Sequence, residues 1–210
     1  MFPKLQYISQ GLTSADQMIN IQEALDAGCD WIQLRFKNVG EKELYALAEK
    51  VKVACQNYKA VFIVNDHVEL AKEIDSDGVH LGLEDASIET ARRILGNNKI
   101  IGGTANTLND VLKRVAERCD YIGLGPYRMT ATKEKLSPVL DIDGYEKIMN
   151  ELKKRGIDIL VYAIGGIELE DVEKLMNTGV DGIAISGMIT RHSNKKELVA
   201  QLKEKLYVIA

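Results

Sequence analysis

The stretch Ser76-Asp77-Gly78-Val79-His80-Leu81-Gly82 decides the fold, because the 210-residue chain carries four copies of its pattern. In each copy a small or polar residue and an Asp follow a helix-like stretch and precede a short apolar run. The other copies span residues 29–35, 119–125 and 180–186. Apolar runs this short, each preceded by a helical pattern, indicate buried parallel strands joined by crossover helices rather than hairpins. Functional groups should therefore gather where these strands end.

Further apolar runs raise the number of candidate strands to eight. The additional strands are predicted at residues 5–9, 61–65, 99–102 and 159–164. Amphipathic stretches typical of helices lie between strands, at residues 14–27, 41–55, 108–117, 145–154, 168–177 and 195–205. Strict alternation of eight strand–helix units favours an α/β fold of the (β/α)8 or TIM-barrel type, with residues 1–210 as a single domain. The main competitor is an open flavodoxin-like or Rossmann sheet.

The bulk composition excludes several classes of partner. A net charge of -4 and a pI near 5.5 provide no basic surface for nucleic acid or anionic lipid. No apolar run approaches membrane-spanning length, and the first residues lack the pattern of a signal peptide. The cysteines Cys29, Cys55 and Cys119 form no CxxC pair and suit reduced thiols in or near the core. We therefore predict a cytoplasmic protein that acts on small molecules, with no nucleic-acid or membrane partner.

The ends of the predicted strands are rich in polar and charged residues. In a barrel the active site lies at the carboxyl ends of the strands, so these residues would converge on one mouth. In chain order they are Gln33, Arg35, Lys37, Asn65, Asp66, Asp85, Thr104, Thr130, Thr132, Lys133, Gly165, Gly166, Ser186 and Gly187. This combination of basic groups, two carboxylates, hydroxyls and glycines is typical of a site that binds anionic substrates.

Two of these side chains, Asp66 and Asp85, suit a divalent cation. Taken singly, each is better explained as a helix cap, Asp66 for a helix that starts at His67 and Asp85 for one near Ser87. Adjacent parallel strands would nevertheless place the two carboxylates near each other, and without a cation they would repel. Mg2+ takes few protein ligands and shares the rest with phosphate oxygens. The pair therefore predicts a Mg2+ site.

The cations predict two anion sites. Taken alone, Arg35 and Lys37 could equally be solvated loop charges, but with Lys133 and a Mg2+ ion they would form a pocket for a diphosphate. The long segment 125–141 is typical of a lid or binding loop, and its hydroxyls suit phosphate oxygens. The glycines after strands seven and eight could hold a second, single phosphate. Two such sites suit displacement of diphosphate from one substrate by a second, phosphorylated one.

The same residues resemble the thiamine phosphate synthase family in sequence, order and spacing over almost the whole chain. The segments that carry the resemblance are Gln33-Leu34-Arg35-Phe36-Lys37, Asn65-Asp66, Gly78-Val79-His80-Leu81-Gly82 followed by Asp85, Gly123-Leu124-Gly125-Pro126 with Thr130-Ala131-Thr132-Lys133, and Ala163-Ile164-Gly165-Gly166-Ile167. The resemblance implies a (β/α)8 transferase that joins hydroxymethylpyrimidine diphosphate to thiazole phosphate. The products would be thiamine phosphate and diphosphate, formed through a dissociative step.

The resemblance also implies a role for each site residue. It makes Gln33, Arg35, Lys37, Asn65 and Lys133 contacts to the pyrimidine diphosphate, with Leu34 and Phe36 in the same segment and Thr104 beside the pyrimidine. It assigns Thr130, Ala131 and Thr132 to the thiazole substrate, and Gly166, Ile185 and Ser186 to the phosphate of that substrate. Arg35, Lys37 and Lys133 would be catalytic, and Asp66 and Asp85 would hold Mg2+ as the cofactor.

The chain departs from the family pattern at three places, and rival functions remain. Thr104 stands in place of the usual Ser, Met129 in place of a frequent Pro, and Gly187-Met188 in place of the more usual Ala-Ile. A related thiazole tautomerase would use a His near strand six, where the sequence reads Gly125-Pro126-Tyr127. A catalytically silent thiamine phosphate sensor would not need the metal–diphosphate residues.

A third rival is an unrelated phosphate-sugar isomerase, which needs a positioned general base that the sequence does not offer. His80, within a strand between apolar neighbours, is interpreted as a hydrogen-bonded barrel histidine. The sequence leaves open whether the chain forms a homo-oligomer and whether the thiazole substrate must be the carboxylated tautomer.

Overall fold

The sheet is a closed barrel in the computed structural model, which describes residues 2–129 and 138–208. The strands are β1 (Leu5–Ile8), β2 (Trp31–Leu34), β3 (Val61–Asn65), β4 (Gly78–Leu81), β5 (Ile100–Ala105), β6 (Tyr121–Leu124), β7 (Leu160–Ile164) and β8 (Gly182–Ile185). All neighbours pair in parallel in chain order, and β1 closes the barrel by pairing with β8. The predicted (β/α)8 barrel is confirmed, and the open sheet is excluded.

The helices surround the barrel and begin close to their predicted positions. They are α1 (Ser14–Asp26), α2 (Glu41–Tyr58), α3 (Val68–Glu73), α4 (Ile88–Leu95), α5 (Leu108–Ala116), α6 (Asp141–Arg155), α7 (Val172–Asn177), α8 (Gly187–Arg191) and α9 (Lys195–Val208). A 3-10 turn, Leu169–Asp171, precedes α7. No helix in the described part of the chain is long and apolar enough to cross a membrane.

Helices α6 and α8 differ most clearly from the sequence prediction. Helix α6 begins at Asp141 rather than at Tyr145, because its first turn is acidic rather than apolar. Acidic residues are favourable at a helix amino terminus, but they leave no hydrophobic periodicity to detect. The sequence prediction missed α8 altogether, since five residues are too few to show a helical period.

The Asp of the repeated pattern stabilises the amino-terminal end of the barrel. Three of the four use a carboxylate oxygen to accept the backbone N–H of the preceding strand at 2.7 Å: Asp77 from Phe62, Asp120 from Ile101 and Asp181 from Val161. The fourth, Asp30, instead accepts from Lys203 of α9 at 2.8 Å. The repeated Asp therefore connects neighbouring strands, and it does so at the end of the barrel opposite to the predicted site.

Aromatic side chains fill the interior of the barrel. Trp31 packs edge-to-face with Tyr121 and with Tyr162, with ring centroids 4.9 Å apart in both pairs, and Ile63 completes the cluster. Such edge-to-face pairs are the favoured geometry of packed aromatic rings. The cluster closes the barrel interior, so that open space is left at the carboxyl-terminal mouth.

His80 lies above this aromatic cluster and is hydrogen-bonded on both ring nitrogens. Nδ1 is 3.0 Å from the Tyr121 hydroxyl, and Nε2 is 3.1 Å from the Thr104 hydroxyl. The prediction of a hydrogen-bonded barrel histidine is confirmed. His80 also links the buried cluster to Thr104 at the mouth.

The three cysteines are buried and form no disulfide, as the sequence predicted. Burial raises the pKa of each thiol, in Cys29, Cys55 and Cys119, to about 12. Buried thiols of this kind are unreactive core residues.

Candidate active site

The carboxyl ends of β2 and β3 hold a buried pair of amides. Gln33 donates a hydrogen bond from Nε2 to Oδ1 of Asn65 at 2.8 Å, and both side chains are almost fully buried. Oε1 of Gln33 has no hydrogen-bond partner among the described residues. A buried amide oxygen without a donor is unfavourable, so it is an acceptor available to a ligand.

At the end of β2 and just after it, successive side chains point to opposite faces of the sheet, which separates the polar from the apolar ones. Leu34 is buried in the layer between strands and helices, and Phe36 packs against the same layer. Either residue can therefore meet a ligand in the barrel only through its backbone. Arg35 lines the mouth, and its backbone is held by hydrogen bonds with the Ser9 hydroxyl at 2.9 Å and the Gln17 amide at 3.3 Å.

Asp66 and Asp85 meet at the ends of β3 and β4, as the predicted metal pair requires. Burial raises the pKa of Asp66, and the hydrogen bond and negative charge of Asp85 raise it further. Lys37 partly offsets this effect, with its ammonium 3.2 Å from an Asp66 carboxylate oxygen. Asp85 also accepts the Gly82 N–H at 2.7 Å. Two carboxylates held together against their repulsion fit a hard divalent cation.

The alternative interpretation of the two acids as helix caps is wrong. The N-cap of α3 is His67 and the N-cap of α4 is Ser87, whose hydroxyl accepts the Thr90 N–H at 3.1 Å. Asp66 instead has left-handed backbone with φ of 65°. The described residues contain no group of three or more His, Cys, Asp or Glu that could hold a metal ion. Mg2+ commonly takes water and substrate oxygens beside one or two protein carboxylates, so a pair of acids is compatible with such an ion.

A cavity of about 500 Å³ opens at the carboxyl ends of β1, β6, β7 and β8. Of the predicted site residues, Arg35, Thr104, Gly165, Gly166, Ile185, Ser186 and Gly187 line it. Lys37, Asp66 and Asp85 lie outside its walls, at the ends of β2, β3 and β4. The mouth thus has two parts, the cavity and the carboxylate pair. Arg35 lies in the first and Lys37 in the second, although only one residue separates them in the chain.

The turn after β7 requires its two glycines. Gly165 and Gly166 both have left-handed backbone, with φ of 95° and 69°. A side chain on Gly166 would also meet Cβ of Arg128 at 2.8 Å. The backbone of the turn is thereby left open to the cavity.

Arg128 holds this turn against the segment after β6. Its backbone N–H donates to the Gly165 carbonyl at 2.9 Å, and its guanidinium donates to the Gly166 carbonyl at 3.0 Å. The guanidinium forms a two-bond ion pair with Asp171, one bond being 2.7 Å, and lies over the ring of Tyr127. Burial alone would raise the pKa of Asp171, but hydrogen bonds from Arg128 and the Glu168 N–H lower it overall.

Sequence reasoning placed Arg128 at the end of strand six without giving it a role, and it missed Arg191, which lies on the cavity wall at the end of α8. Both follow predicted strands closely, and that proximity was the available signal. Four predicted residues, Thr130, Ala131, Thr132 and Lys133, lie outside the described part of the chain, and their roles stay predictions.

Most of the chain matches a known protein family. Residues 7–189 match the family described as thiamine monophosphate synthase. The chain belongs to this family. It is similar to thiamine-phosphate synthase of Flavobacterium johnsoniae, with 58% identity over 207 residues that cover 99% of this chain and 98% of that protein. It is also similar to the Bacteroides fragilis enzyme of that name, with 48% identity over 88% of this chain and 91% of that protein.

Solved structures agree with this membership in the thiamine monophosphate synthase family. Thiamine phosphate pyrophosphorylase from Pyrococcus furiosus superimposes with a TM-score of 0.85 at 30% identity, covering 99% of this chain and 97% of that one. A 3-hexulose-6-phosphate synthase superimposes with a TM-score of 0.72 at 14% identity, which shows a shared fold alone. The chain is therefore a transferase of the thiamine monophosphate synthase family, as the resemblance implied.

The three departures from the family pattern all lie at the cavity. The Thr104 hydroxyl is engaged by His80, Met129 is an exposed residue on the cavity wall, and Gly187 begins α8. None of them removes a charged group from the site.

Proposed function

We propose that the chain joins hydroxymethylpyrimidine diphosphate to thiazole phosphate, or its carboxylated form, and releases thiamine phosphate and diphosphate with the help of Mg2+. The observation that carries this proposal is the meeting of Asp66 and Asp85 next to Lys37. A tautomerase or a binding protein has no need of paired acids and a cation for a leaving diphosphate. The names of the similar proteins support the same activity.

The diphosphate would be bound at the ends of β2, β3 and β4. Asp66 and Asp85 would hold Mg2+, which supplies positive charge to the diphosphate oxygens. Lys37 and Arg35 would donate hydrogen bonds to the same group, and Lys133 is predicted to join them. These cations stabilise the negative charge that develops on the leaving group as its bond to carbon breaks.

The pyrimidine ring would lie over the polar floor of the mouth. The buried amides of Gln33 and Asn65 offer an acceptor and donors for ring nitrogen and amino groups. The Thr104 hydroxyl, fixed by His80, lies on the adjoining wall. Because these groups are already hydrogen-bonded to one another, they would hold the ring with little rearrangement.

The thiazole phosphate would occupy the cavity between β6, β7 and β8. Gly166, Ile185 and Ser186 line this cavity and would receive the single phosphate, while Thr130, Ala131 and Thr132 are predicted to contact the thiazole ring. The two substrates would then face each other across Arg35. The thiazole nitrogen would form the new bond to the carbon that loses diphosphate, and the chain would act through positioning and charge.

The direct test is to incubate the purified chain with both substrates and Mg2+ and to measure thiamine phosphate, with EDTA as the metal control. Metal-dependent product is expected. The variant Lys133→Ala should lose synthase activity, whereas the control Lys154→Ala, on the exposed last turn of α6, should keep it. Absence of product from a folded chain with verified substrates would refute the proposal. Tautomerase activity that survives Lys133→Ala would instead favour the tautomerase, and tight binding of thiamine phosphate without turnover would favour the sensor.

A further inference from the structure

The cavity contains a second guanidinium, that of Arg191, which the family resemblance does not assign. Arg191 is the last residue of α8 and lines the cavity together with Ser186 and Gly187. A methyl group placed on Gly187 would lie 2.8 Å from Cζ and Nη2 of Arg191. The guanidinium therefore packs directly over the Gly187 backbone, in the space that a side chain at position 187 would fill.

The backbone that carries Arg191 is firmly attached to the barrel. Ile189 is fully buried, and the Thr190 hydroxyl is 2.7 Å from the hydroxyl of Tyr7. The same Thr190 hydroxyl donates to the Ser186 carbonyl at 3.3 Å. Arg191 thus extends from an anchored turn, which places its guanidinium at the wall that holds Ser186.

The charge of Arg191 has no counter-ion in the described part of the chain. No carboxylate of the described residues lies within 4.0 Å of its guanidinium, although Glu168 also lines the cavity. Two other arginines near the mouth are paired, Arg128 with Asp171 and Arg114 with Glu117. Among the described charged residues of the wall, Arg35 and Arg191 outnumber the single acid Glu168, so the cavity favours an anion.

We propose that Arg191 is a specificity-determining residue that binds the phosphate monoester of the second substrate. A guanidinium can donate two parallel hydrogen bonds to phosphate oxygens and stays charged at all relevant pH values. The inference rests on the proposed function, because that function puts the single phosphate at Ser186. Gly187 is required for this role, since the absence of its side chain lets the guanidinium lie against the wall.

Steady-state kinetics of Arg191→Gln test the proposal. The KM for thiazole phosphate should rise by about 5- to 30-fold, as expected for loss of one partly exposed charge-assisted hydrogen-bond pair. The kcat and the KM for the pyrimidine diphosphate should not change, and preference for thiazole phosphate over unphosphorylated thiazole alcohol should fall. Arg93→Gln, which removes an exposed charge from the last turn of α4, should match the wild type. An unchanged KM for thiazole phosphate, or an equal rise in the KM for the pyrimidine diphosphate, would overturn the assignment.

A second variant tests the geometry. Gly187→Ala should leave the fold intact, because the atoms in its way belong to the mobile end of a long side chain and Ala favours helix. It should displace the guanidinium and, like Arg191→Gln, raise the KM for thiazole phosphate. In the Arg191→Gln background the same change should have no further effect. Additive effects of the two substitutions would refute the coupling between Gly187 and Arg191.

A binding measurement separates this inference from the proposed function. Inorganic phosphate, added without Mg2+, should shift the amide resonances of Ser186 and Met188 in an isotope-labelled sample of the wild-type chain. The shifts should be lost in Arg191→Gln and kept in Arg93→Gln. If the wild type makes no thiamine phosphate yet shows Arg191-dependent shifts, the proposed reaction fails and the anion site stands. Shifts that persist in Arg191→Gln would overturn the site itself.

Discussion

Replacing Asp66 by Asn should weaken the response of the chain to Mg2+ while sparing its fold. The φ of 65° at Asp66 is left-handed, a conformation in which Asn is well tolerated, so the substitution keeps the backbone. The pKa of Asp66 is raised by burial and by Asp85, which means that its negative charge is unfavourable in the folded chain. Removing that charge relieves the repulsion, and only the half-exposed Lys37 loses an ion-pair partner.

These effects set the expected magnitudes. The lost ion pair is worth about 0–1 kcal/mol and is offset by the relieved repulsion, so the metal-free Tm should stay within about 3 °C of the wild type. Mg2+ at about ten times its Kd would stabilise the wild type by about 1.4 kcal/mol, or about 3–6 °C for a chain of this size. If Asp66→Asn weakens the Kd for Mg2+ about tenfold, the same Mg2+ concentration would stabilise the variant by about 0.4 kcal/mol and raise its Tm by about 1–2 °C.

Thermal unfolding with and without Mg2+ and inorganic diphosphate measures both quantities. The matched control is Asp75→Asn, which makes the same chemical change in the same left-handed conformation, with φ of 51°, at an exposed site that precedes β4. Asp75→Asn should keep the wild-type response to Mg2+. If Asp66→Asn keeps the full metal-dependent shift, the carboxylate pair is not the Mg2+ site. If it unfolds without metal far below the wild type, the argument from repulsion is wrong.

Three further predictions concern stability and reactivity. Arg114 is buried and donates hydrogen bonds to the carbonyls of Thr104 and Gly82 at 3.1 and 2.7 Å. Arg114→Met should therefore lower the free energy of unfolding by about 3–5 kcal/mol, and a decrease of less than about 1 kcal/mol in denaturant unfolding would contradict this. Because the pKa of Asp171 is lowered, its ion pair stabilises the fold above about pH 4, and this contribution disappears as the pH falls through the lowered pKa. The Tm difference between wild type and Asp171→Asn should therefore be present at pH 7 and shrink in acid, whereas a pH-independent difference would exclude the ion pair as its source. The three cysteine thiols, each with a pKa raised to about 12, should react with a thiol reagent at pH 8 only as fast as the chain opens, and rapid stoichiometric labelling of the folded chain would show that they are accessible.

The sequence alone was sufficient to predict the eight strands, most helices and the residues that follow each strand. Val61–Asn65 was predicted with its exact bounds, and most other elements within a few residues. Alternation of short apolar runs with amphipathic stretches arises from near neighbours in the chain, and a barrel places every strand end at one mouth. The order of chemical groups around that mouth therefore follows from the order of strands.

Strand order already predicted that Asp66 and Asp85 would lie near each other, but only the tertiary structure decided how the other groups are divided. Lys37 pairs with Asp66, whereas Arg35 lines the cavity, although the two residues are close in sequence. The roles of Arg128 and Arg191 also depend on tertiary contacts, because Arg128 holds the turn after β7 and Arg191 occupies the space above Gly187. Local periodicity depends on residues a few positions apart, but a contact between side chains depends on strand register and packing between segments far apart in the chain.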